Sequence, residues 1–192
     1  GVIENFRTLK ARLEEQGHAF ETATDTEVIA QLLSCELDKT EWQTPDPAEP
    51  YGTLITAVQS ALAQLRGTYG LAIVFRDWPE VIIAARLGSP LVIGVGNGEN
   101  FIASDGSPLV GHTDRIVYLA DHELAVVTAD NIRVVHRDEG HVRHDVQTLD
   151  LEDSQVELDG YPHYMLKEIF EQPDTVRNAM RGRLDRDQAT AV

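Results

Sequence analysis

Cationic side chains are scarce in this sequence: 16 Lys and Arg stand against 32 Asp and Glu, a formal net charge of −16. A nucleic-acid backbone must be met by clustered Lys and Arg, so the composition argues against a nucleic-acid partner. It argues equally against an anionic membrane surface. Cysteine is nearly absent. Cys35 is the single thiol, which excludes an intrachain disulfide and suits a reducing, cytoplasmic setting. No apolar run approaches the ~20 residues of a membrane-spanning helix. The opening residues Gly1-Val2-Ile3-Glu4-Asn5-Phe6 have neither the cationic region nor the apolar core of a signal peptide, and no Met precedes them. The expectation is a processed chain or a stretch of a longer one. Internal repeats and low-complexity tracts are missing too.

What the sequence does have is periodicity that changes along the chain. Phe6, Leu9 and Leu13 recur at helical spacing and stop at Gly17, a glycine C-cap. Residues 18–23 suit a short strand. Thr24-Asp25-Thr26-Glu27 reads as a capping box ahead of an apolar face formed by Val28, Ile29, Leu32, Leu33 and Leu37. Residues 42–52 hold three prolines and several acids and read as a loop. Leu54, Ile55, Val58, Leu62 and Leu65 predict a third helix, ending at Gly67.

Beyond Gly67 the period shortens. Residues 69–75 are apolar on both faces, as in a strand covered on two sides. Residues 81–85, 91–95 and 101–103 follow as short strands, and 116–119, 123–128 and 132–135 as an antiparallel meander. Helices first and strands later predict segregated α+β layers with antiparallel sheets. Residues 1–149 then form one domain, and 150–192 an acidic linker with short helices at 163–171 and 174–183. Pro173 is expected to stop the first of these, Lys167 and Glu171 to pair across one helical turn, and residues 185–192 to fray.

Chemistry is less legible. Asp25 in a first helical turn complements the helix dipole, worth about 0.3–1 kcal/mol. Alternatively it is a carboxylate at a strand-to-helix junction that pairs with the α-ammonium of an amino acid; spacing favours the first reading and leaves both open. Cys35, flanked by Leu32, Leu33 and Leu37, reads as a buried structural thiol. His141, His144 and Asp145 are too loosely spaced for a metal site and read as solvated surface. Gly94-Val95-Gly96-Asn97-Gly98-Glu99 lacks the Lys-Ser/Thr of a phosphate loop and reads as a hairpin turn. No Gly-x-Ser-x-Gly elbow is present. No residue type points to a cofactor or a metal.

Four blocks resemble one family. Gly1-Val2-Ile3-Glu4-Asn5, Thr24-Asp25-Thr26-Glu27-Val28-Ile29, and Arg86-Leu87-Gly88-Ser89-Pro90-Leu91-Val92-Ile93-Gly94 with Glu99-Asn100-Phe101-Ile102-Ala103-Ser104-Asp105 are similar to class II glutamine amidotransferases. His163-Tyr164-Met165-Leu166-Lys167-Glu168-Ile169-Phe170-Glu171-Gln172-Pro173 resembles the exit linker of the glutamine–fructose-6-phosphate aminotransferase branch. The resemblance implies a four-layer αββα N-terminal-nucleophile hydrolase sandwich, incomplete, with a C-terminal helical linker. It implies hydrolysis of the glutamine amide by an N-terminal cysteine whose α-amino group is the base. Ammonia would pass to isomerase domains that convert fructose 6-phosphate to glucosamine 6-phosphate.

Carried over to this sequence, Gly1 supplies a backbone N–H for the oxyanion and substrate site, and Asp25 binds the α-ammonium of L-glutamine. The parent is implied to be a homo-oligomer. The family's Cys-Gly-Ile start, its Arg and Thr-His carboxylate ligands, the Asn before Gly1 and the isomerase domains have no counterpart here. The chain is therefore expected to be inactive alone, with exposed strand edges and a tendency to associate. The alternatives are a non-catalytic binding or regulatory module of the same fold, or a fragment of another class II amidotransferase.

Overall fold

The computed structural model describes residues 1–40, 49–138, 140–149, 158, 160–180, 184–185 and 190–191. Two compact units are present, Gly1–Asp150 and Leu151–Val192. In the first, β1 (Val2–Ile3) leads to three helices, α1 (Phe6–Glu15), α2 (Asp25–Lys39) and α3 (Gly52–Leu62). Strands follow: β2 (Gly67–Phe75), β3 (Trp78–Leu87), β4 (Val92–Val95), β5 (Asn100–Ala103), β6 (Arg115–Tyr118), β7 (Glu123–Val127), β8 (Ile132–His136), β9 (Gly140–Val142) and β10 (Gln147–Thr148). All pairings between these strands are antiparallel, in a six-stranded sheet β1-β2-β3-β7-β8-β9 and a four-stranded sheet β10-β6-β4-β5.

Alternation along β3 explains the layering. Val81, Ile83 and Ala85 point into a core shared with Leu9, Leu13, Val28, Leu32, Leu54 and Val58 of the helices. Ala84 points the other way and joins Ala125, Val127 and Val134 against Leu91, Ile93, Val117 and Leu119 of the second sheet. A helical layer, a sheet and a second sheet are thus stacked. The far face of the second sheet carries a smaller cluster of Val92, Leu109 and Ile116, with a 3-10 turn over Ser107–Leu109 contributing Leu109.

The helix signals hold at their starts and shift at their ends. At the end of α1, Gly17 takes φ +94°, and the His18 and Gly17 N–H groups donate to the Leu13 and Glu14 carbonyls, a Schellman motif. The strand expected over residues 18–23 does not form. Its donors are already used: His18 N–H caps α1, while Glu21 and Thr22 N–H go to the Glu27 carboxylate at 2.8 and 2.6 Å. Helix α3 stops at Leu62, earlier than expected, because Leu65 turns into the core and Gly67, at φ +117°, already opens β2. Of the expected 42–52 loop, only Glu49 to Gly52 lie within the described residues, and Gly52 belongs to α3.

Two strand expectations need correction. β2 is not covered on both faces: Tyr69 and Phe75 are buried, but Gly70, Ala72 and Val74 are exposed, because the second sheet packs over β3, β7 and β8. Nor do the strands near 116–135 form one meander. β6 pairs with β4 in the second sheet, and the chain crosses to the first sheet over Leu119 to His122 before β7 and β8 pair with each other. His122 adopts φ +66° at this crossing. The hairpin expected around Gly96-Asn97-Gly98 is present: Gly96 N–H donates to Glu99 O at 3.1 Å, and Gly98 takes φ +74°.

In the second unit one helix, α4 (Tyr164–Met180), replaces the two short helices expected. Pro173 does not stop it. Proline removes the N–H that would meet the Ile169 carbonyl and its ring crowds that carbonyl, but its fixed φ is itself helical, so the chain passes through at a local cost. Lys167 and Glu171 do pair, at 3.7 Å. Leu184–Asp185 and Thr190–Ala191 form a small antiparallel pair that takes in part of the tail, residues 185–192, expected to fray. The expected acidic linker falls largely outside the described residues. Among the described residues no helix is long and apolar enough to cross a membrane.

Ile83 is fully buried and Val74 is 73% exposed. Ile83→Ala is therefore expected to cost about 2–5 kcal/mol in urea melts. Val74→Lys should leave stability within about 0.5 kcal/mol and lower self-association in light scattering, since it places a charge on an uncovered sheet face. Equal destabilisation by both would contradict the layer assignment.

Candidate functional site

Gly1, β1 and the start of α2 converge on the first turn of β2. β1 pairs with β2 at Val2↔Thr68 and Ile3↔Gly67. This places Gly1 over the next residues: a Cβ added to Gly1 would overlap the Thr68 carbonyl oxygen and stand 2.8 Å from Tyr69 Cα. Only glycine fits without moving backbone. Asn5 fastens the far end of β1, its side chain donating to Gln64 O at 2.9 Å and accepting from Arg66 N–H at 2.9 Å.

Asp25 reaches the same place from α2. Its Oδ2 accepts the Ile3 N–H at 3.1 Å across 22 residues of sequence. The two expected site residues are therefore brought to one edge of the first sheet, two residues apart along β1. Asp25 is partly exposed, is the first residue of α2, and keeps Oδ1 free of intramolecular hydrogen bonds among the described residues. A partly solvated carboxylate with one oxygen pinned and one open can receive an ammonium group.

The helix start is organised as the sequence suggested, with one change. Thr24 Oγ1 accepts Glu27 N–H at 3.3 Å, half of a capping box. The Glu27 carboxylate does not return to the Thr24 N–H. It takes the Glu21 and Thr22 amides and the Thr22 hydroxyl, while Thr24 N–H donates to Thr22 Oγ1 at 3.3 Å. The hydroxyl of Thr22 and the amides of Glu21 and Thr22 hold the Glu27 carboxyl below its ordinary 4.5. Burial pushes the Tyr69 phenol above its ordinary value.

Other candidates stay apart from this edge. Cys35 is buried in α2, about 15 Å along the helix from Asp25 at 1.5 Å per residue. His141 lies on β9 and its ring meets Glu49, a contact the sequence did not suggest. His144 lines an open cavity of about 420 Å³ with Asn97, Asn100, Arg115, Asp130 and Asn131. That cavity is at the opposite end of the sandwich: Ile82↔Val127 and Ala85↔Leu124 put the β7–β8 turn beside the start of β3, away from Gly88.

The glutamine amidotransferase domain profile matches residues 1–110, a stretch that contains Gly1, Asp25 and the Arg86–Pro90 segment. Glutamine–fructose-6-phosphate aminotransferase (isomerizing) of Bacteroides thetaiotaomicron is 44% identical over 186 residues, 96% of this chain and 29% of that protein. The chain belongs to the class II glutamine amidotransferases. The corresponding enzymes of Thermotoga maritima and Methanosarcina mazei are 37% and 38% identical over 98% and 96% of the chain, in each case 29% of the relative. The chain thus spans under a third of the length of these curated relatives. Among solved structures, the glutamine phosphoribosylpyrophosphate amidotransferase of B. subtilis, complexed with ADP and GMP, superposes with a TM-score of 0.53 at 25% identity. That superposition covers 73% of this chain and 28% of that one.

Within this amidotransferase chain the Glu27 cap predicts a pH dependence. A carboxyl lowered on folding contributes fully above its unfolded value, and that contribution is lost as pH falls through the folded value. The Tm difference between the unsubstituted chain and Glu27→Gln should therefore be largest near neutrality and shrink below about pH 4.5. A difference that grows on acidification would contradict the assignment.

Proposed function

We propose that this chain is the larger part of a glutamine-hydrolysing domain whose parent transfers the amide nitrogen of L-glutamine to fructose 6-phosphate, yielding glutamate and glucosamine 6-phosphate. The observation that carries the reading is the meeting of the Asp25 carboxylate with β1 at Ile3, two residues from Gly1. The identity of 37–44% with fructose-6-phosphate aminotransferases over nearly the whole chain supports the branch. The stacked helices and antiparallel sheets form three layers of a four-layer N-terminal-nucleophile sandwich, and residues 150–192 form the link towards isomerase domains.

In this reading Asp25 Oδ1 pairs with the substrate α-ammonium, leaving the side-chain amide directed along β1. The backbone N–H of Gly1 donates to the amide oxygen as it becomes an oxyanion during attack. The attacking thiolate forms a thioester and releases ammonia, and water then releases glutamate. That thiol comes from outside these 192 residues: Cys35, the one thiol here, is buried within the helical layer. The parent works as a homo-oligomer in the cytoplasm and draws on no metal or cofactor for this half-reaction. The same burial of Cys35 favours a second reading, a module that binds glutamine without hydrolysing it.

Titration with L-glutamine followed by NMR tests the site. Asp25→Asn should weaken binding about ten- to hundredfold, the loss of one charge-assisted hydrogen bond of about 1.5–3 kcal/mol. Unchanged affinity would sink the assignment of Asp25. The chain by itself should release no ammonia from glutamine, and measurable turnover would overturn the account of the absent thiol.

A further inference from the structure

Arg86, at the end of β3, makes contacts out of proportion to a partly exposed strand-end residue. Its Nε donates to Ser89 O at 3.2 Å and its Nη1 donates to Leu119 O. The same Nε stands 3.5 Å from Asp121 Oδ1. Its carbonyl accepts His122 N–H at 3.0 Å. One side chain therefore grips both its own following loop and the crossing from the second sheet to the first. Asp121 completes the arrangement by accepting Gly88 N–H at 2.9 Å.

The loop so gripped lies directly against the floor of the glutamine site. Gly88 takes φ +70°, and a Cβ on it would come within 2.6 Å of Thr68 Cγ2. Gly70 approaches Pro90 O so closely that an added Cβ would stand 3.2 Å away. Thr68 is in turn the residue whose carbonyl faces Gly1 and whose strand position pairs with Val2. A chain of close contacts runs from Asp121 and Arg86 through Gly88 to Thr68 and on to Gly1. A side chain at Gly1 would collide with main chain, one at Gly88 with the Thr68 methyl, and one at Gly70 would crowd the Pro90 carbonyl.

We propose that Arg86 and Asp121 are positioning residues of the glutamine site: together they press the Gly88-Ser89-Pro90 loop onto Thr68 and so set where β1 carries Gly1 and the Ile3 N–H that anchors Asp25. The ligand in this proposal rests on the function proposed above; the mechanical coupling does not. Close contacts of this kind couple neighbouring segments, so releasing one end should loosen the other without melting the core.

Amide exchange and glutamine titration of the 192-residue chain, both by NMR, test it. Asp121→Ala removes the acceptor for Gly88 and the partner of Arg86. It should speed exchange at Gly88 and at Ile3 at least about fivefold and weaken glutamine binding, while exchange at Ile83 in the core stays unchanged. Asp121→Asn keeps an oxygen for Gly88 but loses the charge facing Arg86. It should retain Gly88 protection and show an intermediate glutamine affinity, and it carries the test if Asp121→Ala does not fold. Faster exchange at Gly88 with unchanged exchange at Ile3 and unchanged affinity would overturn the coupling. If the unsubstituted chain binds no glutamine while Ile3 still responds to Asp121, the positioning role stands and only the ligand assignment falls.

Discussion

Strand β3 is buried on both faces over Ile83 to Ala85, and the rest of the structure follows from that. Val81, Ile83 and Ala85 must be covered by helices and Ala84 by a second sheet. Small residues at the sheet–sheet face, Ala84 and Ala125, let the two sheets come close. The helices then have one place to go. Once α2 lies on that face of the sheet, its N-terminus falls at the β1 end, and Asp25 meets Ile3 without any local sequence signal linking them. Burial of apolar area, at roughly 25 cal/mol per Å², thus drives the arrangement that the polar site exploits.

The site is built from backbone as much as from side chains. Gly1 marks a place where two stretches of main chain come too close for a Cβ, while Gly88 and Gly70 seat the following loop against the Thr68 methyl and the Pro90 carbonyl against β2. Such contacts set distances more sharply than hydrogen bonds between flexible side chains. The polar groups then act as fasteners: Asn5 on the β1–β2 connection, Glu27 on the turn before α2, and the Arg86–Asp121 pair on the crossing between sheets. Each joins segments that are distant in sequence or secures a turn with no regular hydrogen bonding of its own.

Much of the local structure could be read in advance. The Gly17 helix end, the Thr24 cap, the apolar face of α2, the strand positions and the Gly98 hairpin all depend on residues within a few positions of one another. The failures share a different cause. Residues 18–23 have strand-like composition, but the Glu21 and Thr22 amides are claimed by a side chain that reads equally well as an ordinary capping glutamate. Residues 69–75 are apolar throughout, yet whether a second sheet covers them depends on where that sheet ends. Pro173 signals a helix stop, but a fixed helical φ also permits continuation.

The sequence by itself determined the starts of α1 and α2, most strand segments from Gly67 to His136, the absence of any intrachain disulfide and, through its motif blocks, membership of the amidotransferase family. Those properties reside in short-range periodicity and in residue identity. Only the tertiary structure decided that β6 and β7 belong to different sheets, that one face of β2 stays open, and that Asp121 touches Gly88 across 33 residues. It also separated two carboxylates that look alike in sequence. Asp25 and Glu27 are both acids in one helix turn, but Glu27 is consumed by neighbouring donors while Asp25 keeps an oxygen open. The physical reason is that hydrogen-bond capacity is local, whereas which donors arrive to fill it is settled by packing.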